Sequence, residues 1–479
     1  MVFSSTTFLF AFLPLLLLAY FPIRKMWWRN GVLLVFSLIF YAWGEPIWVL
    51  GMLAVTLVNH VIALVIRPEA ARGQTARRVL LAVAVVASLA MLLYFKYAAF
   101  LVNTVASLIG TTWRMAEQHM PIGISFYTFQ VLTYTVDVYH GKAAPQRNYL
   151  NTLLYISCFP QLIAGPIVQY ADVAEALKTR TTTAQDFSEG MGRFVLGLSK
   201  KVLLANICGQ MLSATTLAGT GAELSLAGAW LSAVLYALQL FFDFSAYSDM
   251  AIGLGRVLGF TYRENFDHPY MAVSVADFWK RWHISLTSFF REYVYIPLGG
   301  NRHGSLVTAR NMLVVWALTG LWHGASWNFV LWGLYYFLLQ ALERFVLKDR
   351  LARVPRAIRH VVTLVLVVIG WVIFYYTDLG AVGQHLLALF GLSANGGLHG
   401  IALYDEAARA VLRQYTVYPL LACACCLPLI RWMKTLFSRN GTLEKVGTVL
   451  GYVALTALLC LSVIQLLGQT YNPFIYFRF

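Results

Sequence analysis

Residues 310–344 read Arg310-Asn-Met-Leu-Val-Val-Trp-Ala-Leu-Thr-Gly-Leu-Trp-His323-Gly-Ala-Ser-Trp-Asn-Phe-Val-Leu-Trp-Gly-Leu-Tyr-Tyr-Phe-Leu-Leu-Gln-Ala-Leu-Glu-Arg344. Apolar and aromatic side chains dominate between the two arginines. The run is long enough for two helices that each approach the thickness of a hydrocarbon layer, roughly 30 Å at 1.5 Å per residue. The arrangement predicts a helical hairpin over 309–345 with both basic ends on one side of a membrane. His323 then lies about 20 Å along the helix from Arg310, well inside the layer. Ionisable groups at such depth are rare and usually face a cavity or a pathway. Gly320, Gly324 and Ala325 around it would let another backbone or a substrate come close.

The same texture extends along the whole chain. Of 479 residues, 59% are hydrophobic and 12% charged, and the mean hydropathy is +0.66. A soluble domain carries about twice that charge fraction. Apolar runs predict spans near 5–22, 30–43, 46–66, 79–102, 121–139, 226–244, 309–325, 327–345, 361–377, 414–432 and 447–467. The expected fold is therefore all-α, a polytopic membrane protein in a single domain over 1–479. Met1–Tyr20 lacks a basic n-region and a small-residue cleavage site, and reads as a retained first span. Residues 140–215 mix apolar patches with Lys178, Arg180, Asp186, Glu189, Arg193, Lys200 and Lys201. With Gly165-Pro166 among them, they predict a re-entrant or interfacial region.

The net charge of +15 raises the question of nucleic acid, but its placement excludes that reading. Basic residues gather in short loops: Arg24, Lys25 and Arg29; Arg67, Arg72, Arg77 and Arg78; six from Arg344 to Arg359; and Arg431, Lys434, Arg439 and Lys445. The intervening loops near 43–46, 107–120 and 378–412 hold only Arg114 and Arg409. The positive-inside rule assigns the basic loops to the cytoplasm, and so the N-terminus and the Tyr471-Asn-Pro-Phe474 segment to the outside. The six cysteines lie in or beside apolar runs and read as small buried side chains, with no metal site.

Three constellations carry chemistry. Around His323 the stretch Thr319–Asn328 adds Asn328 as a polar neighbour. Phe242-Asp243-Phe244-Ser245-Ala246-Tyr247-Ser248-Asp249 ends an apolar run with two carboxylates. Six residues apart, they do not share a helix face, so no paired acid/base dyad is implied. Either a supporting polar network including Ser245 is expected, or Asp243 or Asp249 positions a substrate or a neighbouring cation. Ser274-Val-Ala-Asp277-Phe-Trp279-Lys280-Arg281-Trp282-His283 begins as a capping box. On one helix Trp279 and His283 would share a face at i, i+4. Within 261–305, expected to face the cytoplasm, Lys280 and Arg281 with Trp279 and Trp282 suit a phosphate-bearing acyl thioester; an interfacial aromatic belt with snorkelling cations is the alternative. Signatures such as G-x-S-x-G, H-E-x-x-H and the P-loop are missing from the sequence.

These segments together resemble the membrane-bound O-acyltransferase family, specifically its bacterial branch of polysaccharide O-acetyltransferases. The likeness includes Met1-Val-Phe-Ser-Ser, Pro121–Phe129, Phe159–Pro166, Phe242–Gly253, Phe278–Ser285, Gly299-Gly-Asn-Arg302 and Gly320–Ala325. It implies about eleven spans with re-entrant helices around a central tunnel. It implies His323 as the catalytic histidine and His283 as a second important polar position. No cofactor is implied beyond the co-substrate, an acyl thioester such as acetyl-CoA. The resemblance further implies a bacterial inner-membrane location and a periplasmic SGNH-type partner that passes the acetyl group to a glycan. Many relatives carry a histidine where this chain has Tyr335 or Tyr336, so that residue's role does not transfer. Two other functions fit the residues: a D-alanyl transferase fed by a carrier-protein thioester, and a transporter using His323 as a proton relay. A neutral imidazole can take the proton of an attacking hydroxyl or carry the acyl group itself, and the sequence leaves both open.

Overall fold

The structure is a computed structural model and describes residues 1–68, 73–215, 224–392, 402–438, 440–468 and 474–475. Arg72, Arg439 and residues 471–473 of the expectations above lie outside the described residues. Every regular element among the described residues is helical. Among the described residues seven helices are long and apolar enough to cross a membrane: Trp48–Ile66, Gln74–Leu108, Ala184–Thr215, Leu226–Val257, Trp327–Leu347, Arg356–Tyr375 and Gly441–Gly468. Tyr418–Cys425 and Leu429–Phe437, bent by 65° on either side of Leu427-Pro428, make an eighth if they form one broken span. Proline cannot continue the backbone ladder of a helix, which accounts for the break. Eleven spans were expected. Phe8–Tyr20 and Met26–Ala42 are shorter than this measure requires, and Gly304–His323 is not among the seven despite its twenty residues.

Two expectations need correction. The apolar run at 226–244 does not end at Asp243, because the helix continues unbroken to Val257. The polar side chains that suggested an end are accommodated by partners on other helices, described below. The region 140–215 also divides differently. Its first part is short and buried, with helices Tyr149–Ser157, Phe159–Leu162 and Tyr170–Val173. Residues 163–169 between them are non-helical and buried, as irregular backbone at depth must be. The second part, Ala184–Thr215, is a 32-residue helix long enough to span. Its charges masked that length from a reading by apolarity alone.

The described chain forms two compact units, Met1–Gly197 with Tyr247–Glu264, and Leu198–Ala246 with Asn265–Phe479. The first is held by polar contacts between its helices. Asn59 donates to Ser88 Oγ at 2.9 Å and accepts from the Thr135 hydroxyl at 2.8 Å. The buried Arg180 donates from Nε to Tyr20 Oη at 2.8 Å. Arg193 bridges Asp249, at 2.9 Å, and Glu264.

The second unit holds the hairpin that carries His323. Gly304–His323 packs on Trp327–Ala341 at glycine: a β-carbon on Gly320 would sit 2.3 Å from the Phe329 carbonyl oxygen, and one on Gly333 2.4 Å from that of Trp316. Gly324 lies under the Phe329 ring. The small residues beside His323 thus serve the approach of two helices. Gly324 is extended and stops the first helix one residue after His323, leaving the imidazole at a helix end.

Candidate active site

His323 is buried in a wall of aromatic rings. Its ring meets Trp322 at 4.9 Å, Trp332 at 5.1 Å and Phe374 at 5.1 Å between centroids, all edge to face. Trp332 also touches Trp279 at 5.5 Å and Tyr336 at 5.2 Å. Asn328 secures the wall from behind: its amide donates toward the carbonyls of Ile373 at 3.4 Å and Phe374 at 3.3 Å, the last turn of Arg356–Tyr375.

His283 is placed differently from its expectation. The capping box forms: Ser274 Oγ accepts from the Asp277 N–H at 3.0 Å, and Asp277 accepts from the Val273 N–H at 3.1 Å. The helix so begun ends at Arg281, Trp282 is extended, and His283 takes a left-handed backbone, φ 47° and ψ 52°. Trp279 and His283 therefore do not share one helix face. The cause is long-range pairing: Asp267 N–H donates to the Arg281 carbonyl at 2.9 Å, and Ile284 N–H to the Asn265 carbonyl at 3.0 Å. These two bonds draw the chain out of the helix.

Nor is this segment an exposed cationic and aromatic surface. Trp279, Trp282 and His283 are 5%, 2% and 1% exposed. Trp279 packs on Trp316 and Tyr336, each at 4.9 Å, and Trp282 on Trp371 at 4.8 Å. Of the four side chains expected at the donor, only Lys280 is exposed. Arg281 is engaged by Asp277 at 2.9 Å and Asp267 at 3.8 Å. Burial is the reason: the rings complete an aromatic core that a surface belt would leave unfilled.

The burial unites the two histidines. Trp322 touches His283 at 5.6 Å and His323 at 4.9 Å, so a single indole stands between them. Phe244 closes the other side of His283, edge to face at 4.7 Å. Burial holds the His283 imidazole far below the ordinary histidine value, at about 3, so it is neutral at physiological pH.

Asp243, one residue before Phe244, forms a buried ion pair with Lys201 at 2.6 Å, the two side chains 3% and 4% exposed. Its second oxygen accepts from the Ile475 N–H at 2.7 Å. Lys201 sits in the π-turn Lys200–Ala205 of Ala184–Thr215, a local register change that often marks functional positions. Ser245 is buried, and its hydroxyl finds no hydrogen-bond partner among the described residues. Asp249 does not join Asp243; it pairs with Arg193 in the first unit. In the sequence Lys201 reads only as one charge in a mixed region and Phe244 only as a member of the Asp243 stretch; Asn265, Phe374 and Ile475 are not singled out. Nothing in the local pattern around those residues marks them.

A family model described as the membrane-bound O-acyltransferase family matches residues 142–380. A probable alginate O-acetylase, AlgI, of Azotobacter vinelandii is 37% identical over 517 residues, covering all of both chains. The chain belongs to the membrane-bound O-acyltransferase family. A probable alginate O-acetylase of Pseudomonas aeruginosa is 40% identical over 401 residues, covering 81% of this chain and 75% of that one. A peptidoglycan O-acetyltransferase of Helicobacter pylori is 30% identical over 442 residues, covering 84% and 81%. The protein is accordingly a multi-pass membrane enzyme that transfers acyl groups to oxygen.

Within this membrane-bound O-acyltransferase, several segments that carried the resemblance are packing points. Phe3 of the opening stretch stacks on Tyr247 at 4.5 Å. A β-carbon on Gly165 would fall 2.6 Å from the Pro160 carbonyl oxygen. Tyr335 donates its hydroxyl to the Leu366 carbonyl at 2.8 Å, and Tyr336 is fully buried against Trp316 at 5.3 Å.

Proposed function

We propose that this O-acyltransferase moves acetyl groups from cytoplasmic acetyl-CoA to an extracytoplasmic polysaccharide, with a periplasmic SGNH-type enzyme completing the transfer. The observation that carries the reading is full-length likeness to alginate O-acetylases together with a buried histidine pair set in one aromatic wall. In the proposed reaction His323 takes the proton of the acceptor hydroxyl, and the hydroxyl oxygen attacks the thioester carbonyl. The carbon–sulfur bond breaks, and the leaving thiolate of coenzyme A recovers the proton from His323. The aromatic wall excludes water, which would otherwise compete as the acceptor.

The test is thiol release and acetyl transfer by the purified protein in liposomes. Time-dependent release of coenzyme A from acetyl-CoA, with label appearing on an added glycan or partner, is expected. Turnover only with a D-alanyl carrier-protein thioester would replace the donor. Proton-coupled solute flux without thiol release would replace the reaction class.

The orientation has its own test. The loops around 67–78 and 347–360 should face the cytoplasm, so Gln74→Cys and Ala352→Cys should resist membrane-impermeant thiol reagents in intact cells and react after lysis. Labelling of both before lysis would reverse the donor side.

A further inference from the structure

Asn265 is fully buried and is bonded to the His283 turn in four ways. Its carbonyl accepts from the Ile284 N–H at 3.0 Å. Its side-chain Oδ1 lies 3.2 Å from the Ser285 backbone nitrogen, 2.9 Å from Ser285 Oγ and 3.2 Å from His283 Nδ1. The Ser285 backbone N–H can only donate, so the atom facing it must be the amide oxygen. That fixes the orientation of the Asn265 side chain without appeal to the histidine. The same oxygen faces Nδ1 and cannot donate, so Nδ1 must carry the hydrogen. A neutral imidazole holds one hydrogen, which leaves Nε2 with a bare lone pair. Nε2 is buried and has no hydrogen-bond partner among the described residues.

The backbone adds an independent reason to regard this as a built arrangement. His283 is one of three non-glycine residues with positive φ among the described residues. Such a conformation costs energy and persists where surrounding contacts over-determine it, often at functional sites. Here those contacts come chiefly from Asn265.

We propose that Asn265 is a positioning residue: it holds His283 in the Nδ1–H tautomer and aims the Nε2 lone pair to accept a hydrogen bond from an N–H or O–H of the bound substrates. The proposal rests on the acyl-transfer reading. The hydrogen can come from an amide of the thioester's pantetheine arm or from the acceptor hydroxyl. Charged and titratable groups on the elements packed around His283 include Asp243, bound to Lys201; Asp249, bound to Arg193; Asp267 and Asp277, bound to Arg281; Arg256 and Arg310; the exposed Lys280; and His323 across Trp322. None is bonded to His283 in the structure.

Two measurements decide the matter. The first needs no substrate: nitrogen NMR of protein labelled with ¹⁵N at histidine, with His283→Gln used to assign the signal. A protonated Nδ1 and a bare Nε2 at neutral pH are expected. The opposite tautomer, or an imidazolium, would overturn the proposal. If acyl transfer itself is the wrong reading, this result stands while every variant fails to transfer acetyl groups.

The second is kinetic. Asn265→Leu should lose about 10–100-fold in activity, the loss typical when an outer partner that fixes an imidazole tautomer at a metal site is removed. Asn265→Asp keeps all the acceptor contacts but places a carboxylate beside Nδ1–H, which favours the imidazolium. In the same nitrogen NMR, the pH at which His283 becomes the imidazolium should therefore be one unit or more higher in Asn265→Asp than in wild type. Should Asn265→Leu fail to fold, Asn265→Asp and the NMR still decide. A change in the KM for acetyl-CoA places the lone pair on the donor, whereas a loss confined to kcat places it on the attacking hydroxyl; either supports the proposal. An Asn265→Asp protein whose His283 titrates as in wild type would refute it, as would full activity in a well-folded Asn265→Leu protein.

Discussion

Replacing His323 by alanine is expected to lower acetyl transfer by roughly 10²–10⁴-fold, the range for losing a general base. The protein should still insert and fold. The hairpin that carries His323 is held at Gly320 and Gly333, where the two helix backbones meet, and that contact does not involve the imidazole. His323→Gln keeps most of the volume between Trp332 and Phe374 and removes the base, so it separates chemistry from packing. Steady-state rates on purified variants with matched thermal midpoints make the comparison. Near-normal transfer by a well-folded His323→Gln protein would remove the residue from the reaction.

The second large effect concerns stability. Asp243→Asn removes the carboxylate from a lysine that is 4% exposed, so the ion pair is lost from one side. Breaking a buried pair from one side costs about 3–5 kcal/mol, whereas exchanging both partners for neutral residues is often tolerated. Asp243→Asn should therefore lower the thermal midpoint in detergent sharply, and Lys201→Met with Asp243→Asn should recover most of the loss. Such recovery is the signature of two coupled sites. Equal losses in the single and double variants would show that the pair is not the origin of the effect.

The helical, membrane-spanning character was legible because it depends on composition over windows of about twenty residues. The His323 hairpin was legible for the same reason, with its glycines marking a close approach. His283 was visible as a residue and misread as a position. The i, i+4 spacing from Trp279 assumed a helix that the pairing of Asn265 and Asp267 with Ile284 and Arg281 cuts short. That pairing joins residues up to nineteen apart in sequence and leaves no local periodicity. The same holds for Asp243. Its partner Lys201 belongs to a helix whose charges made it look interfacial, and a π-turn gives that helix an irregular register there. Local pattern locates elements; buried polar partners are chosen by the packing of elements far apart in the chain.

The seat of Ile475 on Asp243 also sets a schedule for synthesis. The two residues are 232 positions apart. At about 5–20 residues per second, a ribosome needs roughly ten to fifty seconds to travel between them. Lys201 precedes Asp243 in the chain, so the ion pair can close as soon as their two helices are in the membrane. The second oxygen of the carboxylate must wait for residue 475. During that interval the nascent chain carries a half-finished polar centre in its second unit, and agents that protect unassembled membrane helices would be needed most then.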